Sequence, residues 1–310
     1  MARTGIRIKG PRAASEELHE AIIVGGSYAG LSAGLQLARA RRRILIVDAG
    51  LRRNRFVSQA HGFLAQDGRS PDEILHDARQ QLLEYGTVTF LRATATGAAG
   101  SMNDFRITTD RGDSHRGMRL LLATGLKDEL PAIPGLDERW GTTVFQCPYC
   151  HGYELNRGRI AVIATGASAY HHAAMVADWG EVALFTNGAV DLDDEQERHL
   201  KDRGVVIERE RVLRVSGAAT IELRDGRSEP FAGIFTAART SLASDLASLV
   251  GCELEDGHFG QHIKADRFGQ TSVSGVFACG DGTGMAGSIA VAVSSGATAA
   301  VGLHRSLVFA

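Results

Sequence analysis

The sequence is poor in cysteine and lysine and has no long apolar run. It has only four cysteines and four lysines among 310 residues, and its net charge is −2. Four cysteines in a chain of this length exclude a disulfide-rich scaffold. The charge balance predicts no general attraction to nucleic acid or to an anionic membrane. No stretch is long enough to span a bilayer, so we expect no membrane association.

The first 20 residues contain four basic side chains but no apolar run, so they do not resemble a secretory signal. We predict a flexible extension over residues 1–20 and a cytoplasmic location. The remaining composition, with 44% hydrophobic residues and 37 glycines, is typical of a soluble α/β protein with many tight turns. The length allows about two domains.

A C-P-Y-C-H-G-Y motif at residues 147–153 dominates the middle of the chain. Two cysteines separated by two residues, one a proline, favour a disulfide that opens and closes, because a thiolate at a helix start is stabilised. Half of a zinc site is the alternative, but zinc usually needs two such pairs. The other cysteines, Cys252 and Cys279, are far apart and are expected to be small core residues. We predict redox chemistry and no metal.

The N-terminal region predicts a dinucleotide-binding unit. An apolar strand at residues 21–24 leads into G-G-S-Y-A-G, a predicted helix follows, and a second strand at 44–48 ends in an acid. This arrangement holds a pyrophosphate on free backbone N–H groups, while the acid accepts hydrogen bonds from a ribose. A glycine-rich turn without a ligand is the alternative. The predicted cofactor contacts here are Gly25, Gly26, Ser27, Tyr28, Ala29, Gly30 and Asp48.

A second unit of the same type follows the cysteine motif. Strands are predicted at residues 159–164 and 182–185, with a helix between them. The first glycine position is Ala164, and Tyr170, His171 and His172 crowd the start of the helix. No acid or arginine pair follows the second strand, so we interpret the nicotinamide-nucleotide site as degenerate. We expect the two histidines to be surface or helix-start residues.

Near the C-terminus, a strand at residues 275–279 ends in Gly280-Asp281, and a helix rich in small residues begins near Ser288. Such a helix packs closely against either a planar ligand or another backbone. The predicted fold is α/β with two Rossmann-like dinucleotide-binding domains, the second inserted into the first. The predicted boundaries are 21–126 and 243–310 for the split first domain and 127–242 for the inserted domain carrying the cysteine pair.

In this order, GGSYAG, ATG at 123–125, the cysteine pair and GVFACGD resemble the low-molecular-weight thioredoxin reductase family over about residues 21–305. The resemblance implies a homodimeric flavoprotein with FAD bound in the split domain. It implies that Cys150 faces the flavin and that Cys147 exchanges with substrate. The further cofactor contacts that we predict, in matching or neighbouring positions, are Asn54, His61, Thr124, Gly125, Gly280, Asp281, Ser288 and Ile289.

Two departures from that family's sequence pattern make the predicted function more specific. His151 stands where thioredoxin reductases usually have aspartate, and the nucleotide site is degraded. CPYCHGYE with such a site is similar to dithiol oxidases that close disulfides in natural products such as gliotoxin, holomycin and romidepsin. The resemblance implies a small-molecule dithiol as substrate, O2 as electron acceptor and H2O2 as product. We hypothesise His151 as the base, since its ordinary pKa is near 6.5; a structural helix cap is the alternative.

Other functions fit parts of the pattern. A disulfide reductase driven by NADPH, or by another donor such as ferredoxin, keeps the same cysteine pair and flavin. A non-catalytic flavoprotein would act as a redox sensor or an interaction module, and a structural zinc module is the remotest alternative. Flavin reduction by NADPH, absence of reduction by any dithiol, and metal content distinguish these alternatives.

Overall fold

The structure is a computed structural model that describes residues 18–284 and 287–309. The first group of elements is β1 (Leu18–Val24), α1 (Tyr28–Arg39), β2 (Ile44–Asp48), α2 (Pro71–Leu83), β3 (Val88–Arg92), β4 (Ala95–Ser101), β5 (Asp104–Thr109) and β6 (Ser114–Leu122). The middle group is β7 (Leu126–Glu129), β8 (Val144–Phe145), α3 (Pro148–His151), β9 (Arg159–Ile163), α4 (Ala169–Val176), β10 (Glu181–Phe185), α5 (Asp194–Asp202), β11 (Val206–Glu208), β12 (Val212–Ser216), β13 (Thr220–Leu223), β14 (Ser228–Pro230), β15 (Gly233–Thr236) and β16 (Arg239–Leu242). The last group is α6 (Leu246–Leu249), β17 (Leu254–Asp256), β18 (Gln261–Ile263), β19 (Val276–Ala278) and α7 (Ile289–Val308).

Two sheets organise these elements. The first has the order β3-β2-β1-β6-β5-β4, and β19 also pairs with β6. Its β1, β2, β3, β6 and β19 pairings are parallel, whereas β4 and β5 are antiparallel additions. The second sheet is wholly parallel in the order β11-β10-β9-β15-β8. We call the parts built on these sheets the first unit and the second unit. The mixed α/β architecture with Rossmann-like sheets confirms the predicted fold class.

Each sheet is covered on both faces by apolar clusters, as expected for parallel strands. In strands β1, β2, β9 and β10 most buried positions hold Ile, Val, Leu, Ala or Phe, and these apolar runs are what predicted the strands from the sequence. The antiparallel pair β7–β16 lies between the two units in the chain, with Leu126 opposite Leu242. Cys252 and Cys279 are free and buried in the apolar core of the first unit, as predicted.

The predicted N-terminal extension is too long at its C-terminal end. Strand β1 begins at Leu18, where it pairs with Arg116, rather than after residue 20. The buried His19 and a backbone hydrogen bond from the Glu20 N–H to the Arg43 carbonyl fix these residues in the sheet. Residues 1–17 of the predicted extension lie outside the described part of the chain.

Helix α7 packs against α1 at a distance that only small residues allow. A Cβ on Gly296 would collide with the backbone carbonyl of Ala29. The Ser32 hydroxyl donates to the Val293 carbonyl at 2.7 Å. The small residues of α7 therefore serve close backbone packing in its middle. At its far end, buried Arg119 of β6 donates to the Ser306 carbonyl at 2.6 Å and fastens the helix to the sheet.

Among the described residues, no helix combines the length and apolarity needed to cross a membrane.

Candidate active site

The turn between β1 and α1 brings three backbone segments together. Gly25 has φ +106°, and a Cβ there would collide with the Ala123 carbonyl. A Cβ on Gly30 would collide with the Gly25 carbonyl. Ser27 precedes α1, and its side chain makes no capping hydrogen bond. Because the first N–H groups of a helix have no intrahelical acceptor, this turn presents donors suited to a phosphate.

Asp48, at the end of β2, orders that turn. Its Oδ1 accepts a hydrogen bond from the Gly26 N–H at 3.1 Å. Its Oδ2 lies 3.3 Å from Arg92 and 3.7 Å from Arg79, and the residue is buried. A Cβ on Gly26 would lie 2.8 Å from the Asp48 Cβ, so this glycine is required for the close approach. The carboxylate that was expected at a ribose thus also holds the glycine turn.

Two other turns end at the same edge of the first sheet. Gly125 follows β6 and Gly280 follows β19, both with positive φ near 72°. A Cβ on Gly280 would lie 3.0 Å from Ala29, and one on Gly282 would lie 3.7 Å from Gly125. The predicted cofactor residues of the three turns therefore converge at the carboxyl ends of adjacent parallel strands. This cradle of backbone is where an open α/β sheet binds a dinucleotide.

Arg53 is a charged residue of this edge that the sequence did not single out. It donates to Asp281 at 2.9 Å and to Asp128 at 2.5 Å. These two carboxylates raise the pKa of Arg53 against the opposing effect of burial. Arg53 lies in an irregular stretch whose sequence has no helical or strand periodicity. Its place at this edge is therefore recognised only from its two carboxylate partners in the structure.

Helix α7 begins beside the cradle. Ser288 caps it by accepting a hydrogen bond from the Val291 N–H at 3.2 Å, and Ile289 is its first residue. The predicted start near Ser288 is confirmed. The Gly280 N–H donates to the Ser295 hydroxyl at 2.9 Å, which ties the helix to the turn after β19. The N-terminus of α7 thus belongs to the same edge as the three glycine turns.

Cys147 and Cys150 form a disulfide, with their Cα atoms 5.3 Å apart. Pro148 occupies the first position of α3, where a missing N–H costs nothing. The Cys150 N–H donates to the Cys147 carbonyl at 3.2 Å. Tyr149 is largely exposed and meets Trp179 edge to face. A short rigid turn therefore carries the disulfide that the motif predicted.

His151 follows the disulfide and is held by an aromatic contact. Its ring stacks on Phe145 with centroids 4.3 Å apart. Both ring nitrogens are buried and have no hydrogen-bond partner among the described residues. Burial lowers the pKa of His151 to about 4, with the carboxylate of Glu154 opposing this and the charge of His61 adding to it. The imidazole is therefore neutral near pH 7, with two unpaired nitrogens beside the cysteine pair.

Asn54 and His61 lie apart from each other. Asn54 donates to the Tyr28 hydroxyl at 3.5 Å, beside the glycine turn. His61 Nε2 instead lies 3.5 Å from Glu154 Oε1 of the second unit. The structure thus brings Asn54 to the nucleotide edge and His61 to the turn that carries the cysteines.

Several side chains at the corresponding nucleotide edge of the second unit contact other protein groups. The Tyr170 hydroxyl lies 2.7 Å from His199 Nδ1. Asn187, directly after β10, accepts a hydrogen bond from the Val212 N–H at 3.0 Å. The guanidinium of Arg211 stands over Gly188. Tyr170 and Asn187 are therefore engaged with other protein groups, and Arg211 lies close to Gly188.

His171 is exposed and His172 is half-buried, and both lie in the first turn of α4, which confirms the prediction of surface or helix-start residues. The His172 ring meets Phe235 edge to face, and its Nε2 is buried without a partner. Burial lowers the pKa of His172 to about 4. The helix packs this face onto β15, which the sequence pattern around residue 172 did not indicate.

The fold and the site define an oxidoreductase that combines a nucleotide-binding cradle with a redox disulfide. Residues 19–296 match the model of the pyridine nucleotide-disulphide oxidoreductase family, and the chain belongs to that family. It is 30% identical to thioredoxin reductase sirT of Leptosphaeria maculans, over 93% of this chain and 94% of that protein.

Solved structures agree with this family. An oxidoreductase from Agrobacterium tumefaciens is 49% identical, with a TM-score of 0.93 over 94% of this chain and 99% of that one. The crystal structure of HlmI is 34% identical, with a TM-score of 0.87 over 96% of this chain and 94% of that one. These similarities confirm the resemblance to thioredoxin reductases that the motifs suggested.

FAD is the cofactor of this family and of this chain. The residues present fit it: the first turn of α1, whose N–H groups have no intrahelical acceptor, would hold the pyrophosphate, and a Cβ on Gly125 would meet no atom within 4 Å, so the turn after β6 leaves room for the cofactor's approach.

The burial of Cys252 and Cys279 predicts how many thiols react in the folded protein. Burial raises the pKa of Cys279 to about 12 and also raises that of Cys252, so neither is a reactive thiolate at pH 7. We expect two thiols of the reduced, folded protein to react rapidly with a chromogenic disulfide reagent, and four after unfolding. Replacement of both Cys147 and Cys150 by serine should remove the rapid phase. A third rapid thiol would contradict the buried positions.

Proposed function

We propose that the protein is an FAD-dependent dithiol oxidase. It closes a disulfide in a small-molecule dithiol, passes the electrons to O2 and does not need NADP(H). The observation that favours an oxidase over a reductase is the second unit's nucleotide edge, where Asn187 and Tyr170 are bonded to other protein groups. The balanced reaction is dithiol plus O2 giving disulfide plus H2O2.

The cysteine pair would exchange with the substrate in two steps. A substrate thiol loses its proton, and the resulting thiolate attacks the Cys147 sulfur. A mixed disulfide forms while the Cys147–Cys150 bond breaks, and Cys150 leaves as a thiolate. The second substrate thiol then loses its proton and attacks the mixed disulfide. Cys147 leaves with the electron pair, and the product is the cyclised disulfide. Bound FAD would supply the two-electron acceptor that reoxidises the pair and reduces O2.

His151 is proposed as the group that takes the substrate proton. Its neutral form is the resident one near pH 7, because burial lowers its pKa to about 4. Its two buried nitrogens have no partner in the described chain, so the neutral ring keeps an unused lone pair that can accept a proton. Burial weakens it as a base, but the negative charge that develops on Cys150 favours a neighbouring imidazolium. A general base of this kind contributes about 10²- to 10⁴-fold in rate.

The substrate class rests on the CPYCHGYE motif and its similarity to natural-product dithiol oxidases. We propose a natural-product dithiol as substrate, a homodimer as the assembly and a cytoplasmic location. The name of the similar fungal protein, thioredoxin reductase, supports the competing function, an NADPH-dependent disulfide reductase. That function requires a working nucleotide site in the second unit.

Peroxide yield tests the oxidase directly. We expect the protein with a small dithiol in air to produce one H2O2 per disulfide formed, at the same rate with and without NADPH. Cys147→Ser should abolish turnover, because no sulfur remains to accept the substrate thiolate. Cys252→Ser, which alters a buried thiol outside the site, is the control. Turnover by Cys147→Ser at the wild-type rate would contradict the scheme, and strict dependence on NADPH would favour the reductase.

The low pKa of His151 predicts how its contribution to the rate depends on pH. Protonated His151 cannot accept a proton, so its contribution should be lost only as pH falls toward about 4. We expect the ratio of the wild-type rate to the His151→Gln rate to be constant from pH 5 to 8 and to fall below that range. Taking the ratio removes the titration of the substrate thiols. A ratio of one at every pH would make His151 structural, and a midpoint near 6.5 would contradict its burial.

A further inference from the structure

One loop joins the two units beside the cysteine pair. We call residues 51–70, between β2 and α2, the bridging segment. It is anchored to the first unit by ion pairs from Arg53 to Asp281 at 2.9 Å and from Arg69 to Asp77 of α2 at 2.8 Å. Backbone hydrogen bonds between Ala60 and its partners Arg69 and Gly68 close part of it into a small hairpin. The segment is therefore fixed relative to the first sheet.

The same segment contacts the second unit at two places. His61 Nε2 lies 3.5 Å from Glu154 Oε1. Phe56 packs so closely on Gly141, which has φ +78°, that a Cβ on that glycine would lie 2.7 Å from the Phe56 Cβ. The contact between His61 and Glu154 is electrostatic and tolerates small changes in distance. The contact between Phe56 and Gly141 is steric.

Glu154 belongs to the short helical stretch that carries the redox cysteine. Helix α3 ends at His151, and a 3₁₀ turn over Tyr153–Leu155 follows at once. The Gly152 N–H donates to the Pro148 carbonyl at 2.7 Å, and the Leu155 N–H donates to the Gly152 carbonyl. Residues three and four apart on such turns are neighbours. A displacement of Glu154 would therefore also move His151 and Cys150, because backbone hydrogen bonds join these short turns.

His61 lies between two carboxylates. Its Nδ1 lies 3.7 Å from Asp67 of the bridging segment, and its other nitrogen faces Glu154. Asp67 is itself fixed by accepting the Gly62 N–H at 2.8 Å. Only 17% of the His61 side chain is exposed, against 38% for Glu154. The imidazole thus bridges a carboxylate of its own loop and a carboxylate of the other unit.

We propose that Glu154 is a positioning residue: by pairing with His61 it fastens the turn that carries Cys150 and His151 to the bridging segment of the first unit. This inference rests on the proposed function, which gives the pair a reason to stay at the cofactor edge throughout turnover. Misplacement of reacting groups by about 1 Å can cost 100-fold in rate, so one modest contact beside the cysteine is significant.

Hydrogen–deuterium exchange of the oxidised holoenzyme without substrate tests the contact. We expect Glu154→Gln to raise amide exchange about three- to fivefold in peptides covering both 60–69 and 147–155, as loss of one partly exposed polar contact allows. His61→Gln should raise the same two regions. Glu138→Gln is the matched control, since Glu138 is an exposed carboxylate of the second unit that pairs with its own neighbour, Arg139. It should change neither region.

A double-mutant cycle separates pairing from local structure. In the double variant His61→Gln with Glu154→Gln, we expect exchange in both regions to be no faster than in either single variant, because each substitution alone already removes the contact. Faster exchange in 147–155 alone, or no change in either region, would overturn the proposal. So would a double variant whose increase equals the sum of the two single increases.

Kinetics supply a second readout. With a small dithiol, Glu154→Gln should lower kcat several-fold and leave KM nearly unchanged, because substrate meets Cys147 while the contact orients Cys150. An unchanged kcat would overturn the positioning role. The exchange experiment contains no substrate, so its failure contradicts this proposal alone. Absence of dithiol turnover in the wild-type protein contradicts the proposed function alone.

Discussion

Close approach of backbone at the carboxyl edge of the first sheet is the constraint on which the rest of the structure depends. Gly25 against the Ala123 carbonyl and Gly296 against the Ala29 carbonyl leave no room for a Cβ. Only with these contacts do α1, α7 and the turns after β6 and β19 reach one edge. That edge carries the first turn of α1, whose N–H groups have no intrahelical acceptor and can therefore meet a dinucleotide phosphate. The same glycines therefore determine both the packing of the first unit and the shape of the edge that we propose for the cofactor.

Charge then connects this edge to the cysteine pair. Arg53 joins Asp281, beside the cradle, to Asp128 of β7. His61 of the same loop reaches Glu154 beyond the cysteine turn. His151, by contrast, is kept neutral by burial against Phe145. The site thus separates charges that position the two units from an uncharged imidazole that is free to take a proton.

Elements with strong local signals were predictable from the sequence. The buried strands β1, β2, β9 and β10, the glycine turn and the disulfide all follow from apolar runs or fixed spacing. The partners of Arg53 are 75 and 228 residues away, so no local pattern indicates them. The burial of His172 depends on how α4 meets Phe235, and the start of β1 at Leu18 depends on pairing with Arg116. These features depend on packing between residues that are far apart in the sequence. The local spacing of residues carries no information about that packing.

The central claim is that electrons enter from a dithiol and not from NADPH. Anaerobic reduction of the purified flavoprotein tests it, with the visible flavin band followed before air is admitted. We expect a small dithiol to bleach the band and air to restore it with formation of H2O2, while NADPH leaves the band unchanged. Rapid bleaching by NADPH would contradict the account, since the edge around Asn187 and Tyr170 would then bind a nicotinamide nucleotide.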